Sequence, residues 1–226
     1  MTLQNKNKRI LIVAAHPDDE TLGCGGTIAR EANLGREIKV LFLADGVSSR
    51  GLNKELLSKR KKNAIEALNI LGVFEKPIFL DMRDNQLDTI ALLDIVKKIE
   101  KILTKFKPDA IYTHSYHDLN VDHQIAFKAV MTAARPSSYP FIREIYSFEI
   151  LSSSEWSLTK RFNPNYFVDI TNYLSKKVDA FKCYSSELNN FPNPRSVEAI
   201  KSLAKIRGSE VGIVAVESFE IIRLVQ

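Results

Sequence analysis

A short polar run follows directly on an apolar segment near the start of the chain, and it constrains the fold more than any other feature. Residues 10–15 are continuously apolar, which is typical of a strand buried on both faces of a parallel sheet. They are followed by His16-Pro17-Asp18-Asp19-Glu20, which places an imidazole and three carboxylates where the strand ends. Open α/β sheets hold their ligands at this edge. Burying such charges is costly without a partner, and a divalent cation would be a suitable one.

A simpler interpretation of the acidic run is a helix N-cap. In that interpretation Asp18 or Asp19 accepts a backbone N–H of a helix that begins near Thr21. One capping residue is enough for a helix, so His16 and the second carboxylate stay unexplained. We therefore favour a metal site.

Apolar segments and amphipathic segments alternate along the first 135 residues. The predicted strands are 10–15, 37–44, 77–80 and 109–112, and the predicted helices are 21–34, 56–71, 89–106 and one that begins near His123. This order predicts an α/β, Rossmann-like fold with a mostly parallel sheet and helices on both faces. After Pro136 the pattern loosens into the predicted strands 145–151, 166–170 and 218–225 and the predicted helices 171–184 and 196–206. Without repeats or linkers, we expect a single domain over residues 1–226.

Three glycines in the first turns of the first predicted helix lower its intrinsic propensity. Gly23, Gly25 and Gly26 would either let a metal or a substrate come close, or let the helix pack tightly on the sheet. The sequence leaves both interpretations open.

Composition excludes several classes of protein. The formal net charge of +5 favours anionic partners, but the densest basic run, 59–62, reads as a solvated helix face without the aromatic residues of a nucleic-acid site. Cys24 and Cys183 have neither disulfide-framework nor zinc-site spacing. The first apolar stretch is too short for a signal peptide or a membrane span, so we expect a cytoplasmic protein without a transmembrane segment. The sequence does not indicate whether the chain forms a homo-oligomer.

All four histidines follow predicted strands. His16 lies in the first strand-to-helix connection, and His114, His117 and His123 lie in the fourth. Parallel strands would bring both connections to the same edge of the sheet. A catalytic zinc needs three protein ligands and one open position. His16, one carboxylate of the pair 18–19 and one later histidine would supply the ligands, and the other carboxylate would act as a base. The residues alone do not say which later histidine binds.

The polar run also resembles a known family signature. Residues 15–20, followed by Gly23 and Gly25-Gly26, are similar to the signature of the PIG-L (LmbE-like) zinc-dependent N-acetylglucosaminyl deacetylases. Asp122-His123 at a helix start resembles the second motif of that family. The similarity extends to about Pro136, with weaker echoes between residues 207 and 217.

The resemblance implies a role for each matched residue. His16, Asp19 and His123 would bind Zn²⁺, although a mixed histidine and carboxylate site also accepts other divalent ions such as Fe²⁺. Asp18 would be the general base and Glu20 would support the site. Arg60 matches a position associated with substrate binding, and a surface helix arginine explains it equally well.

One position departs from the family pattern. Many members carry a histidine where this chain has Asn120. Asparagine can donate a hydrogen bond to an oxyanion but cannot deliver a proton. We expect another histidine, either His117 or His114, to act as the acid. A neighbouring aspartate, either Asp118 or Asp122, would orient its ring. Alternatively, Asp18 returns its own proton to the leaving amine.

Together these features predict hydrolysis of an N-acetyl group on an amino-sugar substrate, either a glycan, a glycoside or a nucleotide sugar. The positive charge would suit an anionic substituent. The alternatives are an amidase for non-sugar conjugates, a two-metal phosphoesterase, and a decayed metal-binding or sugar-binding protein. A dinucleotide-binding protein ranks last because the first turn lacks GxGxxG. Further pocket candidates, for which core or surface roles are more common, are Tyr184, Ser185, Arg207 and Glu217.

Overall fold

The computed structural model of the chain describes residues 8–51, 53–158 and 160–226, and it is built on one seven-stranded sheet. The strands are β1 (Arg9–Ala14), β2 (Glu37–Ala44), β3 (Ile78–Met82), β4 (Ala110–His114), β5 (Glu144–Phe148), β6 (Tyr166–Asp169) and β7 (Val216–Leu224). The helices are α1 (Asp19–Asn33), α2 (Lys54–Leu71), α3 (Leu92–Phe106), α4 (Val121–Ala133), α5 (Leu174–Lys182) and α6 (Val197–Ser209).

The order of the strands places a topological switch point beside β1. The sheet runs β3-β2-β1-β4-β5-β7-β6, and all pairs are parallel except those of β7, which is antiparallel to both neighbours. The chain moves outward from β1 through β2 on one side and returns to β4 on the other. Ligands of open α/β sheets bind at such a reversal. The polar loops that follow β1 and β4 both lie there.

Strand β1 is buried on both faces, as its continuous apolar sequence predicts. Ile10 and Ile12 pack into a core that includes residues of α1, α2, α5 and α6. Leu11 and Val13 pack into a second core against α3 and α4. Helices therefore cover both faces, and the predicted α/β, Rossmann-like fold is confirmed.

The predicted boundary before α3 differs from the observed one for a clear physical reason. Residues 89–106 are predicted as one helix, but Leu87–Thr89 form a short 3₁₀ helix and α3 begins only at Leu92. The 3₁₀ turn buries Leu87 and directs its backbone N–H to the carboxylate of Asp122 at 2.9 Å. A contact with a distant side chain therefore overrides the local helical pattern.

The glycines of α1 serve close packing. A Cβ at Gly23 would lie 2.4 Å from the ring of Phe148, and one at Gly26 would lie 2.8 Å from Ile170. The helix is also broken at Cys24, where φ is −147°. Glu217 accepts the N–H groups of Gly26 and Thr27 that the break exposes. Tight packing of the helix on the sheet, rather than access for a ligand, explains these glycines.

No helix within the described ranges is both long enough and apolar enough to cross a lipid bilayer.

Replacing Gly23 with alanine tests this packing. Gly23→Ala should lower the free energy of unfolding by about 1–3 kcal/mol, because the buried Phe148 ring cannot move away from the new methyl group. Chemical denaturation measures the change. Gly25→Ala is the matched control, since its methyl group would lie 3.3 Å from the stem of Lys177 and 3.5 Å from the methyl group of Thr21, both farther than the contacts at Gly23. An equal loss of stability in both variants would contradict this explanation.

Candidate metal centre and active-site pocket

Three side chains from the loops after β1 and β4 converge at the switch point. His16, Asp19 and His123 are buried, and one potential ligand atom of each lies within 4.8 Å of the others. The Oδ2 atom of Asp19 is 3.3 Å from Nδ1 of His16 and 3.4 Å from Nε2 of His123. The three residues that the resemblance assigns to zinc thus lie together.

The chemistry of this group fits a divalent ion. The Oδ1 atom of Asp19 is buried and finds no hydrogen-bond partner among the described residues. An unpaired buried carboxylate oxygen is costly, so an external partner is expected there. Two imidazole nitrogens and one carboxylate form a three-ligand set of the kind that leaves a catalytic zinc an open position.

Two carboxylates lie behind His16. Its Nε2 atom is 2.9 Å from Oδ2 of Asp122 and 3.1 Å from Oδ1 of Asp84. Asp122 is itself fixed, because its two oxygens accept the backbone N–H groups of Leu87 and Asn85. These carboxylates place a proton on Nε2 and leave the lone pair of Nδ1 for a metal.

The carboxylate of Asp118 holds His123 in the same manner. The Oδ1 atom of Asp118 is 3.1 Å from Nδ1 of His123. Ser153 and Ser154 donate hydrogen bonds to Oδ2 of Asp118, at 3.0 and 2.6 Å. The sequence-based expectation for Asp118 and Asp122 therefore needs correction: the two aspartates orient the candidate metal ligands and not a separate acid.

The pKa values follow from this pairing. Burial opposes charge on His16 and His123, but the surrounding carboxylates outweigh it. They raise the pKa of His16 well above its ordinary value and that of His123 to about 9. Burial would raise the pKa of Asp19, yet the charge of His123 leads the effects that hold it well below the ordinary value. A metal ion that binds here would replace imidazole protons.

Asp18 adopts an unusual backbone conformation beside these residues. Its φ is 132°, and it occupies the N-cap position of α1 without a capping hydrogen bond from its side chain to any described residue. Strain of this kind costs about 1–3 kcal/mol and tends to mark functional sites. The N-cap interpretation of the acidic run is therefore wrong.

Two arginines hold one oxygen of Asp18. Nη1 of Arg195 lies 2.7 Å from Oδ2 and Nη1 of Arg60 lies 3.3 Å from the same atom. Oδ1 has no partner within the described part of the chain. Burial, reinforced by the charge of Asp19, raises the pKa of Asp18, and the arginines only partly oppose this. Oδ1 is therefore the oxygen of this carboxylate that is left to accept a proton.

Arg60 is not a surface residue. It is 4% exposed, donates a hydrogen bond to the carbonyl oxygen of Pro17 at 3.0 Å and pairs with Glu187. Glu187 also pairs with Arg195 at 3.0 Å. The interpretation of Arg60 as a solvated helix residue is therefore wrong, and the side chain lines the pocket.

Glu20 supports the loop from below. Its carboxylate accepts hydrogen bonds from Thr21 Oγ1, from the hydroxyl of Tyr184 and from the backbone N–H of Asp18. Burial raises the pKa of Glu20 to about 7. Tyr184 thus acts through Glu20. Of the remaining C-terminal candidates, Ser185 is exposed outside the pocket, and Arg207 pairs with Glu149 at 2.8 Å.

Neither remaining histidine reaches the pocket. His114 is fully buried, its Nε2 accepts the backbone N–H of Ala15 at 2.8 Å, and its ring stacks on His123 at 3.9 Å. Burial, with the charge of His123, holds its pKa well below the ordinary value, so the ring is neutral, and its other nitrogen, Nδ1, is buried. His117 lines a different cavity with Tyr116. These positions do not favour the expectation that either histidine acts as the acid.

Asn120 has two roles, one in capping a helix and one in the pocket. Its Oδ1 caps α4 by accepting the backbone N–H groups of Asp122 and His123 at 2.8 and 3.3 Å. Its Nδ2 lies 3.2 Å from Oδ1 of Asn85, and both residues line the pocket. Asparagine therefore fixes the start of the helix that carries His123 while it presents a hydrogen-bond donor.

The pocket above these residues has a volume of about 440 Å³, which lies within the range of small-molecule sites. Several lining residues escaped the sequence analysis, namely Asp84, Asn85, Trp156, Glu187 and Arg195. Asp84 follows β3 at the same sheet edge, so its position at a strand end could have revealed it. The same signal applies to Asn85, which directly follows Asp84. Trp156 lies in a short 3₁₀ helix, and Glu187 and Arg195 lie in irregular segments, so none of these three has a local sequence signal.

Comparisons with known proteins agree with this geometry. Residues 11–134 match the family model of PIG-L, described as GlcNAc-PI de-N-acetylase. The chain is 30% identical to the uncharacterized deacetylase YaiS of Escherichia coli K12 (80% of this chain, 93% of that protein). It is 28% identical to diacetylchitobiose deacetylase of Thermococcus kodakarensis (81% and 71%) and 27% identical to 4-oxalmesaconate hydratase of Pseudomonas putida (82% and 76%).

A solved structure shows the same fold. N,N'-diacetylchitobiose deacetylase from Pyrococcus horikoshii superposes with a TM-score of 0.76 at 25% identity, over 99% of this chain and 88% of that chain.

Asp122→Asn tests the support behind His16. The variant should weaken Zn²⁺ binding by about 10–100-fold, because the carboxylate that orients the imidazole is lost. Competition with a chromophoric chelator measures the affinity. Asp94→Asn, at an exposed carboxylate in α3, is the matched control. Unchanged zinc affinity in a folded Asp122→Asn protein would show that Asp122 does not position a ligand.

Proposed function

This chain belongs to the PIG-L family of GlcNAc-PI de-N-acetylases, and we propose that it is a metal-dependent hydrolase that removes the acetyl group from an uncharged N-acetylglucosamine conjugate. One observation carries the proposal. The triangle of His16, Asp19 and His123 opens into a polar pocket beside the free oxygen of Asp18. Of the four similar proteins named above, three are named as deacetylases.

The residues of the pocket divide the work of amide hydrolysis. A zinc ion held by His16, Asp19 and His123 would lower the pKa of water and polarise the acyl carbonyl group. Asp18 accepts a proton through Oδ1 as the water oxygen bonds to the carbonyl carbon. Arg195 and Arg60 keep the carboxylate turned so that Oδ1 faces the water.

Proton return completes the reaction. Burial raises the pKa of Asp18, so the carboxylic acid formed in the first step can protonate the leaving nitrogen as the C–N bond breaks. The products are acetate and a free amine. Asn120 donates a hydrogen bond from Nδ2 to the oxyanion. This route needs no second histidine, in keeping with the buried position of His114 and the remote position of His117.

The charges of the pocket favour an uncharged substrate over the anionic one that the net charge of +5 would suit. Arg60 and Arg195 are already paired with Asp18 and Glu187. Arg50 contacts the same glutamate at 3.3 Å. A phosphate or carboxylate group at Arg60 or Arg195 would have to compete with these carboxylates. Neutral hydroxyl groups can bind without breaking a pair.

The alternative functions find less support. A two-metal phosphoesterase would use the second acidic group, His16, Asp84 and Asp122, as another ion site. Both oxygens of Asp122 already accept backbone N–H groups, so this carboxylate serves to hold His16. The hydratase relative shows that similarity alone does not fix the reaction, and the paired arginines favour a sugar over an acid substrate.

Asp18→Asn tests the proposed general base. Acetate release from N,N'-diacetylchitobiose or N-acetylglucosamine should fall by about 10²–10⁴-fold, since the amide cannot accept the proton. Zinc content, measured by mass spectrometry, should stay at the wild-type value. Asp88→Asn, at an exposed position, is the control. Wild-type turnover in Asp18→Asn would refute this role, and no acetate from wild-type enzyme with any acetylated amino sugar would refute the function.

The Asn120→Asp variant separates the helix-capping role of this side chain from its role as a hydrogen-bond donor. Aspartate caps helices as well as asparagine does, so thermal stability should not change. Loss of the Nδ2 donor should lower kcat by about 10²–10³-fold. Asn120→Ala should show the same fall in kcat and, in addition, a free energy of unfolding that is lower by about 1 kcal/mol. Full activity in Asn120→Asp would mean that the amide does not stabilise the oxyanion.

A further inference from the structure

Trp156 lies at the pocket rim, and the proposed mechanism does not use it. It is the single tryptophan of the chain, and 52% of its surface is exposed. It lines the same cavity as His16 and His123. An exposed aromatic side chain at the mouth of a polar cavity is typical of a ligand contact.

The segment that carries Trp156 is anchored to the candidate metal ligands. Ser153 and Ser154 bind Asp118, which holds His123. The backbone N–H of Trp156 donates to the carbonyl oxygen of Ser153 at 3.2 Å, within the 3₁₀ helix Ser154–Trp156. The backbone that carries the indole is therefore tied to the candidate metal ligands.

Trp156 follows closely in sequence on a residue that contacts His123. The Oγ atom of Ser153 lies 3.5 Å from Nδ1 of His123, and Trp156 ends the 3₁₀ helix that begins at Ser154. A sugar that presents its acetamide group to His123 would have its linked neighbour within the same cavity that Trp156 lines.

Two further lining residues of the pocket carry neutral hydrogen-bonding groups. Asn189 donates from Nδ2 to the carbonyl oxygen of Glu187, and Asn193 accepts the backbone N–H of Arg195 at Oδ1. Both side chains are exposed, and the Oδ1 atom of Asn189 and the Nδ2 atom of Asn193 have no partner among the described residues. Sugar hydroxyls can replace the water around these groups, whereas an acyl chain offers them no hydrogen bond.

We propose that Trp156 is the platform of a second sugar subsite. The pyranose ring linked to the N-acetylglucosamine unit stacks its apolar C–H face on the indole, and its hydroxyl groups bind Asn189 and Asn193. The substrate class is therefore an uncharged disaccharide or longer oligosaccharide rather than the free monosaccharide. This inference rests on the proposed function, because that function places the acetamide group at His123.

Because the chain has a single tryptophan, its fluorescence reports directly on binding at this subsite. The zinc-loaded Asp18→Asn protein is titrated with N,N'-diacetylchitobiose and with N-acetylglucosamine. The disaccharide should shift the emission to shorter wavelengths and saturate at a concentration at least tenfold lower than the monosaccharide. If calorimetry detects binding of the disaccharide while the emission does not change, the subsite is disproved.

Kinetics provide an independent test. In Trp156→Ala the ratio of kcat/KM for the disaccharide to that for the monosaccharide should fall at least tenfold through KM, and Trp156→Tyr should restore most of it. Leu158→Ala, at an exposed apolar residue of a different cavity, is the matched control. An unchanged ratio in Trp156→Ala would overturn the proposal.

The two proposals fail in different ways. Absence of acetate release from wild-type enzyme with either sugar refutes the function, and the fluorescence titration still tests whether a sugar stacks on Trp156. Acetate release without any change in Trp156 emission when the disaccharide binds refutes the subsite alone.

Discussion

The carboxylate of Asp19, placed between the imidazoles of His16 and His123, is the contact on which the rest of the site depends. Five charged or chargeable groups, Asp19, His16, His123, Asp118 and Asp122, are buried here, and each costs free energy unless its neighbours compensate it. The arrangement meets this need with alternating sign: carboxylates behind the histidines, imidazoles around Asp19. The oxygen of Asp19 that lacks a partner among the described residues marks the remaining place for a cation.

The fold supplies this arrangement because β1 and β4 are neighbours at the switch point. The hydrogen bond from the backbone of Ala15 to His114 joins the ends of the two strands. Close packing of Gly23 on Phe148 seats the first turn of α1, which carries Asp19, on the sheet. Glu217 and Lys177, both buried, compensate the break in the helix beyond it. The strained backbone of Asp18 is tolerated because these contacts fix both sides of it.

The parts of the site that local sequence predicts are those at strand ends. The apolar run of β1 and the residues after it, with Asp122-His123 at a helix start, identify the sheet edge and the residues that meet there. Asp118 and Asp122 are placed correctly beside histidines, but which histidine each one contacts depends on the path of the loop. Arg60 looks like a surface residue because its helix is otherwise charged, and only the fold shows that it turns inward to Asp18. Glu187, Arg195 and Trp156 reach the pocket from irregular segments, and Asp18 and Arg195 are 177 positions apart.

One metal ion held by His16, Asp19 and His123 is the basis of the proposed chemistry. A crystal structure of the zinc-loaded protein, with anomalous scattering measured on both sides of the zinc edge, locates the ion. One strong anomalous peak is expected, bound by Nδ1 of His16, a carboxylate oxygen of Asp19 and Nε2 of His123. A peak between Nε2 of His16, Asp84 and Asp122, or no peak near His16, would refute this assignment.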